Sequence, residues 1–86
     1  MHEKLIEGFR VALNSVKRAS LSVDEISGEL YLGGDLGIDS IEMLEIWFRL
    51  EKALEIMIPD DDKRDIYTVD DVLNVLNARL SISAPA

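Results

Sequence analysis

Eighty-six residues with a formal net charge of −8 make one domain with a modest core. With no Cys, and the lone His2 beside the N-terminus, the chain assembles no disulfide framework, thiolate metal site or Ser–His or Cys–His nucleophile system. No apolar run approaches the roughly 18 residues of a membrane span, and Met1-His2-Glu3-Lys4 has neither the apolar segment nor the cleavage site of a secretory signal; a cytoplasmic, free-standing protein is expected.

The charge is unevenly placed. Residues 1–34 carry five acids and four bases, whereas residues 35–86 carry twelve acids and five bases. Such an acidic half repels nucleic acid and anionic membranes and attracts basic protein surfaces. It also keeps a small domain soluble, a role that needs no partner.

Helical spacing of Leu5, Ile6, Phe9, Leu13 and Val16 predicts a first helix over residues 3–18. Gly8 weakens it by roughly 1 kcal/mol relative to Ala, so tertiary packing must hold it. Residues 19–39 read as a long connection punctuated by Gly28, Gly33, Gly34 and Gly37. Its irregularly spaced Val23, Ile26, Leu30, Leu32 and Leu36 predict an ordered loop pinned to the core, with a short helical turn near 23–27. A connection this long in a small domain is usually functional or disordered.

The second predicted helix, about 40–56, has two apolar stripes. At about 100° per residue, Met43, Ile46, Trp47, Leu50, Ala53 and Leu54 share the core face, while Ile41, Leu44 and Phe48 share nearly the opposite side. Glu45, Glu51 and Lys52 border the second stripe. Apolar residues ringed by charge mark a partner site, unless the preceding loop folds over them. Ile58-Pro59 ends this helix, because the residue before proline leaves the α region. Asp60-Asp61-Asp62 then opens a short turn or helix through about Ile66, the acids suiting its N-terminus better than a metal site. Thr68 and Asp71 form a capping-box variant ahead of a last helix that runs to about Leu80. Val69, Val72, Leu73, Leu76 and Leu80 face inward, and 81–86 reads as a flexible tail. The expected fold is therefore all-α, a single-domain four-helix bundle (residues 1–86) with three main helices, one short helix and a long first loop.

Little of this points to catalysis. Carboxylate pairs such as Glu42/Glu45 and Asp70/Asp71 read as caps or solvated faces, and a bundle this small offers little room for a sheltered pocket. No EF-hand calcium loop fits: starting at Asp35 places Ser40 at the glycine position and Ile46 at the final glutamate, and starting at Asp60 places Asp65 and Asp71 there.

Ser40 stands apart. Asp39 is the better cap, which leaves Ser40 on the first helical position with its hydroxyl facing water. The positive end of the helix dipole and the unpaired N–H groups there favour an attached phosphate. Gly33, Gly34 and Gly37 leave room beside it, and Ser40 lies at one end of the Ile41/Leu44/Phe48 stripe.

The run Asp35-Leu36-Gly37-Ile38-Asp39-Ser40-Ile41, followed by a helix that ends in Ile58-Pro59-Asp60, closely resembles the acyl carrier proteins of fatty-acid and polyketide synthesis. Matching features extend to Ile66, Thr68 and Val69, so the resemblance covers about residues 35–80. It implies a four-helix bundle in which Asp39 belongs to the motif and Ser40 carries 4′-phosphopantetheine. A phosphopantetheinyl transferase would supply that group from coenzyme A, using magnesium. The arm's thiol would hold acyl groups as thioesters and deliver them to acyltransferase- or ketosynthase-type enzymes or an acyl ligase, the carrier itself being non-catalytic and monomeric. By the same resemblance, Ile41, Leu44, Glu45 and Phe48 contact partners, with Glu51 beside them. Met43, Ile46, Trp47 and Leu50 are candidates for lining an acyl chain, core packing being the alternative. Ile41 stands where the family usually has Leu, and Arg49 and Lys52 place positive charge on a helix that is typically almost wholly acidic. These departures point to a specialised fatty-acid or polyketide pathway. An aminoacyl or peptidyl carrier, which more often shows G-G-x-S, and an unmodified acidic helical adaptor are the alternative readings.

Overall fold

The computed structural model describes residues 2–83. Three helices, α1 (His2–Lys17), α2 (Ser40–Leu54) and α3 (Val69–Ser83), are joined by segments containing two 3-10 turns, Val23–Glu25 and Asp60–Lys63. The expected short helix through Ile66 is thus a single turn. Among the described residues there is no strand, only one isolated bridge between Tyr31 and Thr68. No described helix is long and apolar enough to cross a membrane.

The helical periodicities meet in one core. Leu5, Phe9, Ala12 and Leu13 of α1 pack with Ile46, Trp47 and Leu50 of α2 and with Val69, Val72, Leu73 and Leu76 of α3. Met43, Leu54 and Leu80 lie partly buried at its margin, whereas Ala53, expected on the core face, is exposed. Gly8 sits where α1 passes α2. A Cβ built there would meet Leu50 Cδ2 at 3.8 Å, an ordinary contact. Gly8→Ala is therefore expected to stabilise the protein by about 1 kcal/mol through helix propensity, read as a higher urea midpoint.

α2 stops earlier than the proline demands. Glu55 takes a left-handed conformation (φ 54°), and both its N–H and that of Ile56 donate to the Glu51 carbonyl. This reversal turns Ile56 and Ile58 into the core, and the Glu51 carboxylate accepts the Ile58 N–H at 2.8 Å. Burial of two isoleucines offsets the roughly 1 kcal/mol that a non-glycine residue loses in the left-handed region. At the other end of the chain, α3 continues three residues past Leu80 to Ser83, so residues 81–83 of the expected tail are helical. Residues 84–86 of that tail lie outside the described residues.

The long connection is ordered by side-chain clasps and apolar pins. Asn14 holds Leu21 by both amide atoms, donating to its carbonyl at 2.9 Å and accepting its N–H at 3.0 Å. Ile26, Leu32 and Ile38 are buried, while Val23, expected as a pin, is exposed. The loop also caps α3. Val69 N–H donates to the Leu30 carbonyl and Asp70 N–H to that of Gly28, at 3.0 and 2.9 Å. In the opposite direction, Leu32 N–H donates to the Tyr67 carbonyl at 2.8 Å. The first two bonds satisfy N–H groups that a helix start leaves unpaired, and all three tie the loop to the start of α3.

Candidate functional site

The approach to α2 is a compact turn. Asp35 and Leu36 N–H groups donate to the Tyr31 carbonyl, Gly37 N–H to that of Gly33, and Ile38 N–H to that of Leu32 at 2.9 Å. Gly37 has φ 67°, the left-handed region where glycine carries no steric penalty. Burial of Ile38 then fixes where the chain enters the helix.

Asp39 caps α2 as expected. Its Oδ1 accepts the Glu42 N–H at 2.8 Å, and Glu42 Oε1 accepts the Asp39 N–H at 3.0 Å, a reciprocal capping box. Ser40 is consequently free of the capping role. It is exposed on the first turn, and its hydroxyl has no hydrogen-bond partner among the described residues. The N–H groups of Ser40 and Ile41 likewise donate to no described residue, so two backbone donors remain at the positive end of the helix.

Beside Ser40 opens a groove of about 410 Å³, lined by Tyr31, Gly33, Gly34, Ile38, Met43, Ile66 and Tyr67. Of the predicted lining residues only Met43 reaches it. Ile46, Trp47 and Leu50 are at most 2% exposed and pack in the core. Tyr31, Ile66 and Tyr67 come from two connecting segments, where no periodicity announces a face.

The second stripe of α2 is uncovered. Ile41, Leu44 and Phe48 are 71, 62 and 60% exposed, so the loop before Ser40 does not fold over them. Glu45 is exposed beside them, and Lys52 Nζ lies 5.4 Å from the centre of the Phe48 ring. Phe48, Arg49, Lys52 and Leu54 also border a wide groove of about 1040 Å³ against Lys4 and Val11 of α1. Glu51 points elsewhere. It holds the Ile58 N–H and lies 3.5 Å from Lys63, committed to the end of α2 rather than to the stripe.

Carboxylates in the caps of α2 and α3 titrate below their ordinary range. Glu42 is held down first by the Asp39 N–H and then by Lys17, and Asp71 by the Tyr67 and Thr68 N–H groups at 2.9 and 3.1 Å. A carboxylate depressed in the folded state contributes stability above its unfolded pKa, and that contribution is lost as pH falls through the folded value. Stability is expected to be flat near neutrality and to decline once pH drops below about 4. Asp71→Asn should make that decline shallower, with urea midpoints at pH 7 and pH 3 as the measurement.

Among the described residues no group of three or more His, Asp or Glu side chains could hold a metal ion, and Asp60–Asp62 serve the second 3-10 turn. Fold and site together define a small all-α module that presents Ser40 at its surface. No family model matches the chain. Curated proteins do. An acyl carrier protein of Campylobacter jejuni (strain RM1221) is 34% identical over 62 residues, 72% of this chain and 80% of the relative. One from Clostridium perfringens (strain SM101 / Type A) is 39% identical over 59 residues, 69 and 78% of the two chains. A third, from Porphyromonas gingivalis (strain ATCC 33277), is 31% identical over 65 residues, 76 and 83%. The chain belongs to the acyl carrier protein family.

Proposed function

We propose that Ser40 carries 4′-phosphopantetheine and that the protein delivers acyl groups on that arm to partner enzymes, itself making and breaking no bonds. The observation that carries this reading is the uncommitted state of Ser40: an exposed hydroxyl that does not cap its helix. The residues present fit the group. Two backbone N–H donors and the helix dipole favour a phosphodiester at Ser40, and the adjoining groove is lined by Gly33 and Gly34 together with apolar side chains. When bound, the group supplies a thiol on which acyl chains are held as thioesters, chemistry that the Cys-free chain lacks.

The chain's own residues orient and recognise. Asp39 and Glu42 hold the first turn of α2, Met43, Ile66 and the two tyrosines offer apolar cover beside the arm, and Ile41, Leu44, Glu45 and Phe48 form the surface on which partners dock. The Phe48, Arg49 and Lys52 corner supports use in a specialised fatty-acid or polyketide pathway, because a partner evolved for a wholly acidic helix meets bulk and positive charge there. A monomer in the cytoplasm, loaded by a separate transferase, completes the reading.

Intact mass after incubation with coenzyme A, magnesium and a broad-specificity phosphopantetheinyl transferase tests it. The expected result is a gain of one phosphopantetheine per chain. An unchanged mass, under conditions that fully load a control carrier, would overturn the assignment.

A further inference from the structure

A positive charge from another helix is set against the first turn of α2. Lys17, the last residue of α1, places Nζ 3.0 Å from both carboxylate oxygens of Glu42 and donates to the Gly37 carbonyl at 2.8 Å. Glu42 is also the residue that accepts the Asp39 N–H. One ammonium therefore joins the end of α1, the glycine that turns the chain toward Ser40, and the capping box. Its contact with Glu42 is more than half sheltered from water, with 28 and 27% of the two side chains exposed.

Without that ammonium, the capped turn that carries Ser40 would hold two uncompensated carboxylates, those of Asp39 and Glu42. The helix terminus supplies only about half a unit of positive charge, and both carboxylates already draw on it. A phosphodiester on Ser40 would add another negative charge within the same turn, where like charges repel. Lys17 brings a full unit.

We propose that Lys17 is a positioning and charge-balancing residue for Ser40, fixing the approach through Gly37 and cancelling the charge of Glu42 so that the helix start accepts an anionic group. The proposal rests on Ser40 being the attachment point. It differs from an ordinary surface ion pair, which would add little stability and be indifferent to the charge at position 40.

A double-mutant cycle separates the two, using Ser40→Asp as a fixed negative charge that needs no transferase. With Lys17 present, Ser40→Asp should leave the melting temperature nearly unchanged, since acids suit a helix start. In the Lys17→Met background the same substitution should lower it by roughly 4 °C. Lys17→Arg should restore the small response. In parallel, kcat/KM for transfer of phosphopantetheine should fall about tenfold in Lys17→Met, equivalent to 1.4 kcal/mol at the transition state, and recover in Lys17→Arg. Equal responses to Ser40→Asp with and without Lys17 would overturn the proposal. Should Ser40 stay unmodified in every variant while the coupling persists, the carrier reading fails and the charge balance stands. Full uptake with no coupling would instead uphold the carrier reading and remove Lys17 from its charge-balancing role.

Discussion

Ser40→Ala is expected to abolish phosphopantetheine uptake while leaving the protein folded. Both halves of that result follow from the same geometry. On the proposed reading the hydroxyl is the nucleophile that becomes the phosphodiester oxygen, so its removal leaves the transferase nothing to modify. The same hydroxyl has no partner among the described residues, and it is Asp39 that caps α2 and bonds the Glu42 N–H. Its loss should therefore change stability by no more than about 0.5 kcal/mol, as for other surface substitutions away from special features. Intact mass and a urea titration of the same sample check the two halves. A variant that still gains mass would place the attachment on another residue. One that loses several kcal/mol would mean that Ser40 has a structural role its exposure does not suggest.

Phe9→Ala is the second large effect, this time on stability. Phe9 is fully buried in the core shared by α1, α2 and α3. Truncating a buried phenylalanine typically costs about 3–5 kcal/mol, the sum of lost transfer free energy and an incompletely collapsed cavity. A domain of this length has only about 4–13 kcal/mol in total. The urea midpoint is thus expected to fall by about a quarter or more. A loss below about 1 kcal/mol would mean that α1 settles into the gap. The site depends on this packing, because α1 also carries Lys17 to the start of α2.

What local sequence determined was the part that depends on near neighbours. The two stripes of α2 could be separated because residues three and four apart share a helix face, whatever lies against it. The structure keeps Ile46, Trp47 and Leu50 inside and Ile41, Leu44 and Phe48 outside. The Thr68–Asp71 capping box was legible for the same reason. Asp71 Oδ2 accepts the Thr68 N–H at 3.1 Å, and Thr68 Oγ1 accepts the Asp71 N–H at 3.2 Å, both across three residues.

Tertiary structure decided whatever joins distant segments. Lys17 and Glu42 are 25 residues apart, and neither helix pattern relates one to the other. Tyr31 and Tyr67 come to the same groove through a bridge between two irregular connections, which have no period to read. Glu51 borders the exposed stripe by angle alone, yet it turns to the Ile58 N–H once the chain reverses at Glu55. That reversal depends on room in the core for Ile56 and Ile58, a property of the packed assembly of helices and of no local window.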